Sequence, residues 1–225
     1  MKYVIFSDIH GNILALKQML IDTSVYNPEG YIFCGDIVGY FDHTEEVIDE
    51  LINIKNLVAV CGNHDWNYIH MDKYKQIEFA NRYGNSYSKS LGENYLRFLK
   101  SLPILKKFKI MDKKVMIMHG NIENCLYGRW YPDSQINIKN YEGVCFCGHT
   151  HYQMYKIAGM TRIINPGSLG QPRDNKGFSY CIYDFGINEC KFYNVEINKN
   201  ELLKEIKKNE QHDFVRNYLL KRLGG

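Results

Sequence analysis

The sequence lacks several features that mark large classes of proteins. None of its apolar runs approaches the roughly 20 residues needed to cross a bilayer, so no membrane association is expected. The net charge of +3 is not concentrated in a basic stripe, which argues against nucleic acid as a partner but tolerates an anionic substrate. No stretch is rich in Pro, Gly or Ser, and we therefore expect a single domain over residues 1–225.

Cysteine is present, but not in the pattern of a disulfide framework. The seven cysteines are an odd number, lie mostly in apolar runs and follow no signal peptide, so we expect a reducing, cytoplasmic environment. Cys34, Cys61 and Cys147 each directly precede the glycine of a motif described below. We interpret them as small buried residues that close strands, and keep thiolate binding to a metal as the alternative.

Strand and helix patterns alternate over the first hundred residues. The short apolar runs "KYVIFS", "YIFC" and "LVAVC" are typical of β-strands, and each is followed by a segment with helical spacing of apolar residues. After Pro103, seven further short runs predict strands joined by turns. Residues 199–225 return to a charged helical pattern. Together these pieces predict a two-sheet α/β sandwich with a C-terminal helical tail.

Five of the predicted strands end in side chains that bind metals or exchange protons. In layered α/β folds the carboxyl ends of strands form the ligand crevice, so these groups are expected to converge. A purely structural explanation would need Asp, Asn and His to fall beside glycines at five strand ends by chance, and burying them unpaired would be costly. The set comprises Asp8, His10, Asp36, Asn63, His64, Asp65, His119, His149 and His151.

This donor set is too large for one tetrahedral ion. Carboxylate and amide oxygens combined with imidazole nitrogens suit Mn, Fe, Zn, Co or Ni, and suit Mg less well. Two ions about 3.5–4 Å apart, bridged by a carboxylate, are a common arrangement for displacement at phosphorus. The sequence therefore predicts two divalent metal ions and a phosphate ester as the substrate.

The ordered motifs "DIH", "GDIVG", "GNHD", "HGN" and "GHTH" resemble those of the calcineurin-like metallophosphoesterases. The segment "NPGSLGQPRD" is similar to one in their small bacterial phosphodiesterase and diadenosine-tetraphosphatase-related members. This resemblance covers about residues 1–196 and implies a four-layer α/β/β/α sandwich of two mixed sheets. It also implies that Asp36 bridges two ions. The first ion would be held by Asp8, His10, Asp36 and His151, and the second by Asp36, Asn63, His119 and His149.

The same resemblance implies roles for the two residues that follow Asn63. His64 would protonate the leaving-group oxygen while a hydroxide bridging the ions attacks phosphorus, and Asp65 would orient the His64 ring. For substrate contact the sequence offers Asn63 and Arg173, although Arg173 is equally suited to a structural ion pair. His43 is a third candidate for substrate contact, and its alternative is to cap the helix that follows.

The favoured function is metal-dependent hydrolysis of a phosphodiester, with a small molecule such as a nucleotide as substrate. A phosphomonoesterase acting on nucleotides or phosphoproteins would use the same core, because the ions bind the phosphoryl group and the surrounding loops decide how many substituents it carries. A catalytically silent interaction scaffold is disfavoured, because every expected ligand position is filled. The sequence leaves a homo-oligomer open. It also predicts that Arg129, Trp130 and Tyr131 shape the substrate pocket.

Overall fold

The computed structural model describes residues 1–138 and 141–223. The strands are β1 (Lys2–Phe6), β2 (Gly30–Phe33), β3 (Leu57–Ala59), β4 (Leu105–Ile110), β5 (Lys113–Met118), β6 (Gly143–Phe146), β7 (Gln153–Ala158), β8 (Thr161–Pro166), β9 (Ser179–Asp184) and β10 (Glu189–Asn194). The helices are α1 (Ile13–Ser24), α2 (Thr44–Asn53), α3 (Asn63–His70), α4 (Lys73–Tyr83), α5 (Glu93–Ser101), α6 (Lys199–Asn209) and α7 (Asp213–Leu223). Within the described residues, no helix is long and apolar enough to cross a membrane.

The strands form two mixed five-stranded sheets, as predicted. The first sheet has the order β10-β9-β1-β2-β3, in which β1, β2 and β3 run parallel. The second has the order β4-β5-β6-β8-β7, in which β5, β6 and β8 run parallel. Each sheet therefore presents the carboxyl ends of three parallel strands, and the loops that follow those ends carry the predicted site.

The two sheets pack face to face, and alternation of side chains along β1 decides which layer each residue joins. Ile5 is buried between the sheets with Ile117 and Phe146. Its neighbour Phe6 points to the opposite face and packs with residues of the helices, including Leu16 of α1. This two-residue period is the normal geometry of a strand buried on both faces.

The outer face of the second sheet is covered differently from that of the first. Met116 and Cys145 on this face pack against Trp130, which lies in the segment between β5 and β6. The described part of this segment, residues 119–138 and 141–142, contains no helix. The fourth layer is therefore a loop at this position, which is consistent with its Asn, Gly, Ser and Pro content.

Candidate metal centre

The loops after the parallel strands bring the predicted ligands together. Asp8 follows β1, Asp36 follows β2, His119 follows β5 and His149 follows β6, and all four side chains are buried. Backbone hydrogen bonds join neighbouring loops, including Asp8 N–H to the Gly35 carbonyl at 2.9 Å. The site is thus built on connections between strand ends rather than on one continuous element.

Five candidate ligands have a left-handed backbone conformation that residues with a Cβ rarely adopt. Their φ angles lie between 50° and 68°. Such conformations cost about 1–3 kcal/mol each and persist only where surrounding contacts enforce them. Their concentration at these strand ends marks a functional site, because strain of this kind has no structural benefit of its own. The five residues are Asp8, His10, Asp36, His149 and His151.

Each of the two central carboxylates has one fixed oxygen and one that is presented inward. Asp8 Oδ2 accepts the His149 N–H at 3.1 Å, whereas the buried Asp8 Oδ1 accepts no well-aligned hydrogen bond and lies 3.1 Å from His151 Nε2. Asp36 Oδ1 accepts the His64 N–H at 2.8 Å, and its Oδ2 lies 3.2 Å from His119 Nε2. A buried carboxylate oxygen without a donor is costly unless a cation binds it.

Three imidazole rings are oriented by backbone carbonyl groups on their outer side. The pairs are His10 with Val38 (2.8 Å), His119 with Cys34 (2.8 Å) and His151 with Gln171 (2.5 Å), each through Nδ1. Because Nδ1 donates to a carbonyl, Nε2 of each ring is the nitrogen available to a metal. Hydrogen bonds of this kind are the usual support for metal-binding histidines.

The inward-facing atoms form three overlapping groups, in each of which all ligand atoms lie within 4.8 Å of one another. The groups are Asp8 with His10 and His151, Asp36 with His119 and His149, and His10 with Asp36 and His64. Asp36 therefore belongs to two groups, which share its carboxylate. The third group also places His64, which the sequence assigned to proton transfer, within reach of the same centre.

Asn63 adds an oxygen to the second group. In the orientation present here, its Oδ1 lies 3.0 Å from His119 Nε2, 2.7 Å from His149 Nδ1 and 3.3 Å from Asp36 Oδ2. Rotation of the amide by 180° would direct its NH₂ group at these three atoms, whereas the orientation with Oδ1 inward is favoured when a cation lies between them. Together with the inward-facing Asp8 Oδ1, this donor set of carboxylate, amide and imidazole atoms fits divalent metal ions.

The charges of the buried groups depend on one another. Burial raises the pKa of Asp36, but His119 and His64 outweigh this and hold it well below its usual range. Burial conversely lowers the pKa of His119, but Asp36 and Asp8 outweigh this and raise it to about 9. Burial dominates at His149 and lowers its pKa to about 3. In the absence of metal, the centre therefore holds ionised Asp36 and protonated His119 at neutral pH.

Asp65 does not orient the His64 ring, so that prediction is wrong. Its carboxylate instead accepts four backbone N–H groups at 2.8–3.0 Å. The donors are Asp36, Ile37, Val38 and Gly62. Asp65 thus ties the loop after β2 to the start of α3, and supports Asp36 rather than His64. Its place three residues after Gly62, in the first turn of the helix, is where a carboxylate commonly accepts such bonds.

The ring of His64 is instead held by Tyr87, which no sequence motif identified. The Tyr87 hydroxyl lies 2.7 Å from His64 Nδ1 and 3.2 Å from the His64 carbonyl oxygen. Tyr83 packs edge-to-face against the same ring, with centroids 4.6 Å apart. Burial lowers the pKa of His64 to about 4, and the neighbouring His151 and His119 act in the same direction.

A cavity of about 340 Å³ opens over the ligand groups. Asn63, His64 and Arg173 line it, as the sequence predicted for substrate contact or catalysis. Arg129 also lines the cavity, and its Nε donates to His149 Nε2 at 3.2 Å. Trp130 does not line the cavity and is buried against the second sheet. No sequence motif indicated the opposite wall of the cavity. That wall contains Arg82 and Tyr83 of α4 and Phe214 and Tyr218 of α7.

Comparison with known proteins identifies this arrangement. The sequence profile of the calcineurin-like phosphoesterase superfamily domain matches residues 1–187. The chain belongs to this superfamily. A protein of Methanocaldococcus jannaschii described as uncharacterized is 32% identical over 233 residues, which span 94% of both chains. A metallophosphoesterase from Sphaerobacter thermophilus is similar in structure, with a TM-score of 0.81, 26% identity and coverage of 100% of this chain and 98% of the other. A hypothetical protein from Pyrococcus horikoshii shares the fold at a TM-score of 0.82 and 22% identity, over 100% of this chain and 98% of the other.

His43 lies outside the cavity of the phosphoesterase centre. Its ring is 3.1 Å from Glu46 Oε1 and 3.6 Å from Glu205 Oε2, and so links α2 to α6. It occupies the N-cap position of α2, but its side chain makes no capping hydrogen bond. His43 therefore does not line this cavity, because two glutamates direct its ring to a different surface, and its contact with substrate stays a prediction.

The three cysteines that precede motif glycines are buried in this phosphoesterase. Burial raises the pKa of Cys34, Cys61 and Cys147 above that of an ordinary thiol, so these thiols are protonated at neutral pH. None of them belongs to the groups of metal-binding atoms found among residues 1–138 and 141–223. Both observations favour the interpretation that they close the strands behind the centre.

Metal binding by the phosphoesterase is expected to release a proton from His119. Its pKa of about 9 is above the ordinary value, so the metal-free ring is protonated at neutral pH and must lose its Nε2 proton to bind an ion. We expect His119 to contribute close to one released proton at about pH 7.5, and roughly a quarter of a proton at about pH 9.5. Calorimetric titration with Zn²⁺ in buffers of different ionisation enthalpy measures this number. A release that stays constant over this pH range would contradict the assignment.

Proposed function

We propose that the protein hydrolyses phosphodiesters with two divalent metal ions that share Asp36. The position of this carboxylate carries the proposal. Its Oδ2 lies 3.8 Å from His10 Nε2 and 3.2 Å from His119 Nε2, while its Oδ1 accepts the His64 N–H. One ion would be held by Asp8, His10, Asp36 and His151, and the other by Asp36, Asn63, His119 and His149.

When bound, the two ions supply the Lewis acidity that activates a water and balances charge on the phosphoryl oxygens. The residues of the chain bind and orient the ester. Arg173 lies at the cavity with its guanidinium held by Gln171 Oε1 at 3.0 and 3.3 Å, a geometry that leaves further N–H groups for a phosphate oxygen. His64, beside Asp36 at the cavity floor, is suited to deliver a proton to the leaving oxygen.

Tyr87 helps to keep His64 protonated, and so available as a proton donor, in this proposal. The hydroxyl can donate to the His64 carbonyl oxygen and accept the Nδ1–H of the ring at the same time. With Nδ1 protonated in this way, Nε2 is the nitrogen that gains and gives the second proton. An acceptor at Nδ1 stabilises the imidazolium, which offsets the burial that lowers the pKa of His64 to about 4. The negative charge of a bound phosphate acts in the same direction.

The breadth of the cavity supports a diester rather than a monoester. It extends from Asn63 and His149 at the ligand groups to Arg82 on α4 and Tyr218 on α7. A cavity of this extent has room for substituents on both sides of the phosphoryl group, as a diester requires.

One observation favours a phosphomonoester as the second candidate. Arg82, Arg129 and Arg173 line the cavity, and within residues 1–138 and 141–223 none of these guanidinium groups is paired with a carboxylate. Three unneutralised cations beside two metal ions would suit the dianion of a monoester better than the monoanion of a diester.

A direct test compares bis-p-nitrophenyl phosphate with p-nitrophenyl phosphate. Metal-stripped protein is resupplied separately with Mn, Ni, Co, Zn and Mg, and hydrolysis of both esters is followed. We expect no turnover without metal and a preference for the diester with Mn or Ni. Preference for the monoester would replace the proposal by its second candidate. Absence of turnover with every ion, despite metal binding, would support the silent scaffold.

Replacing Tyr87 by Phe tests the proposed support of His64. We expect kcat for diphenyl phosphate, which has the poorer leaving group, to fall about tenfold, and kcat for bis-p-nitrophenyl phosphate to change less than about twofold. Tyr68→Phe is the matched control, because the Tyr68 hydroxyl lies 2.6 Å from the Lys89 carbonyl oxygen and does not contact His64. An equal loss on both esters in Tyr87→Phe would mean that Tyr87 only maintains the fold.

A further inference from the structure

The cavity wall formed by α7 lies beyond residues 1–187, which the superfamily profile matches. The helix presents two different faces. Val215 and Leu219 are buried, and anchor α7 to the core beside the first sheet. Phe214 and Tyr218, also four residues apart, line the cavity instead. Since residues at this spacing share one helical face, α7 offers an aromatic face to the site while its other face holds it in place.

Tyr40 connects this aromatic face with the metal centre, so that three aromatic rings form one series. Tyr40 packs edge-to-face on His10, with centroids 4.9 Å apart. Tyr218 stacks on Tyr40 at 6.3 Å with an interplanar angle of 26°, and Phe214 stacks on Tyr218 at 6.5 Å with an angle of 14°. The series runs outward from the ligand groups and ends at a ring that is 66% exposed.

The packing of α7 does not require the Phe214 side chain. Val215 and Leu219 already bury the face that attaches the helix, so Phe214 leaves most of an apolar ring in water at the rim of the cavity. Leaving such a ring exposed costs free energy that burial against a ligand would recover. The neighbouring Tyr218 is nearly parallel to it and lies between Phe214 and Tyr40, so the exposed Phe214 ring is where a further planar ring would extend the series.

Charge and shape together indicate what this surface would bind. The inner part of the cavity carries the ligand groups and Arg173, and Arg82 stands beside Tyr83 at the α4 side. A molecule that fills the whole cavity would therefore have an anionic end and a planar end. Because Tyr218 lies between Tyr40 and Phe214, the planar end would be joined to the phosphate through a linker of several bonds.

We propose that Phe214, supported by Tyr218, stacks on a planar ring of nucleobase size carried on the substrate, and so selects phosphodiesters in which a sugar joins a base to the phosphate. The inference rests on the proposed phosphodiesterase function, and adds a specificity element supplied by the C-terminal helix. Stacking of a base on an aromatic side chain increases the binding affinity roughly five- to hundredfold.

The test compares two esters with the same leaving group, thymidine 5′-(p-nitrophenyl phosphate) and methyl p-nitrophenyl phosphate. The metal-loaded wild-type protein is expected to have a kcat/KM roughly tenfold or more higher for the nucleoside ester. Phe214→Ala should remove most of this preference by raising KM for the nucleoside ester alone, and Phe214→Trp should preserve it. Tyr74→Ala is the matched control, because Tyr74 is an exposed aromatic residue that does not line the cavity.

Two outcomes would overturn the inference: a wild-type preference near one, or an equal loss on both esters in Phe214→Ala. Failure of the proposed function is a distinct result, namely no hydrolysis of the methyl ester by the metal-loaded wild type. In that case calorimetric binding of thymidine 5′-monophosphate and of inorganic phosphate still decides the point. Stacking requires that the wild type bind the nucleotide roughly tenfold more tightly than phosphate and that Phe214→Ala lose this difference. Equal affinities in the wild type would refute it.

Discussion

Asp36→Asn is expected to lower kcat/KM for bis-p-nitrophenyl phosphate by at least roughly a thousandfold and to weaken binding of both metal ions. A single group that stabilises charge in a transition state already accounts for about 10²–10³ in rate, and Asp36 would serve two ions. An asparagine can still accept the His64 N–H, which Asp36 Oδ1 accepts at 2.8 Å, so the loop retains its support. In place of Oδ2, however, it would direct an NH₂ group at His119 Nε2.

Metal titration and steady-state kinetics together measure this effect. Asp184→Asn is the control, since Asp184 binds the N-terminal amino group at 3.1 Å and does not line the cavity. The same substitution there should leave metal binding and kcat/KM unchanged. Retention of two tightly bound ions by Asp36→Asn would show that the two ligand groups do not depend on a shared carboxylate.

His64→Asn is expected to slow esters with poor leaving groups far more than esters with good ones. General acid catalysis contributes about 10²–10⁴ in rate, and it matters most where the leaving oxygen is strongly basic. We expect kcat for diphenyl phosphate to fall within that range, and kcat for bis-p-nitrophenyl phosphate to fall less than about tenfold. His70→Asn is the matched control, because His70 is exposed at the other end of α3 and its Nδ1 contacts the Trp66 carbonyl at 2.8 Å.

The leaving-group dependence distinguishes a proton donor from a metal ligand. His64 also lies within ligand distance of His10 and Asp36, so a fall in activity alone would fit either role. Loss of a metal ligand would slow both esters by the same factor and would reduce the number of ions bound. Equal losses would therefore refute the role of His64 as general acid.

The sequence predicted the ten strands and the convergence of the metal-binding residues for a physical reason. Each of the segments that carry these residues follows a short apolar run and contains a glycine, and these features are local in the chain. At Gly148, for example, an added Cβ would lie 2.0 Å from Ser7 Oγ, so only glycine allows the loop after β6 to approach the loop after β1. Local constraints of this kind can be recognised in the amino-acid sequence.

Contacts between residues that are far apart in the chain could not be recognised in this way. Tyr87 reaches His64 across 23 residues from a short 3₁₀ turn at Asn85–Tyr87. The wall formed by Phe214 and Tyr218 depends on how α7 packs, which an amphipathic spacing does not specify. The error at Asp65 has a different origin. Proximity in sequence suggested a partnership with His64, but its position in the first turn of α3 directs the carboxylate to backbone N–H groups.

The central claim is that two ions sharing Asp36 are required for phosphodiester hydrolysis. The most direct measurement is the rate of bis-p-nitrophenyl phosphate hydrolysis by metal-stripped protein as Mn²⁺ is added in known equivalents. At protein concentrations where binding is complete, the rate should rise until about two equivalents are present and then remain constant. A plateau at one equivalent, or the absence of hydrolysis at any Mn²⁺ concentration with both ions bound, would contradict the account.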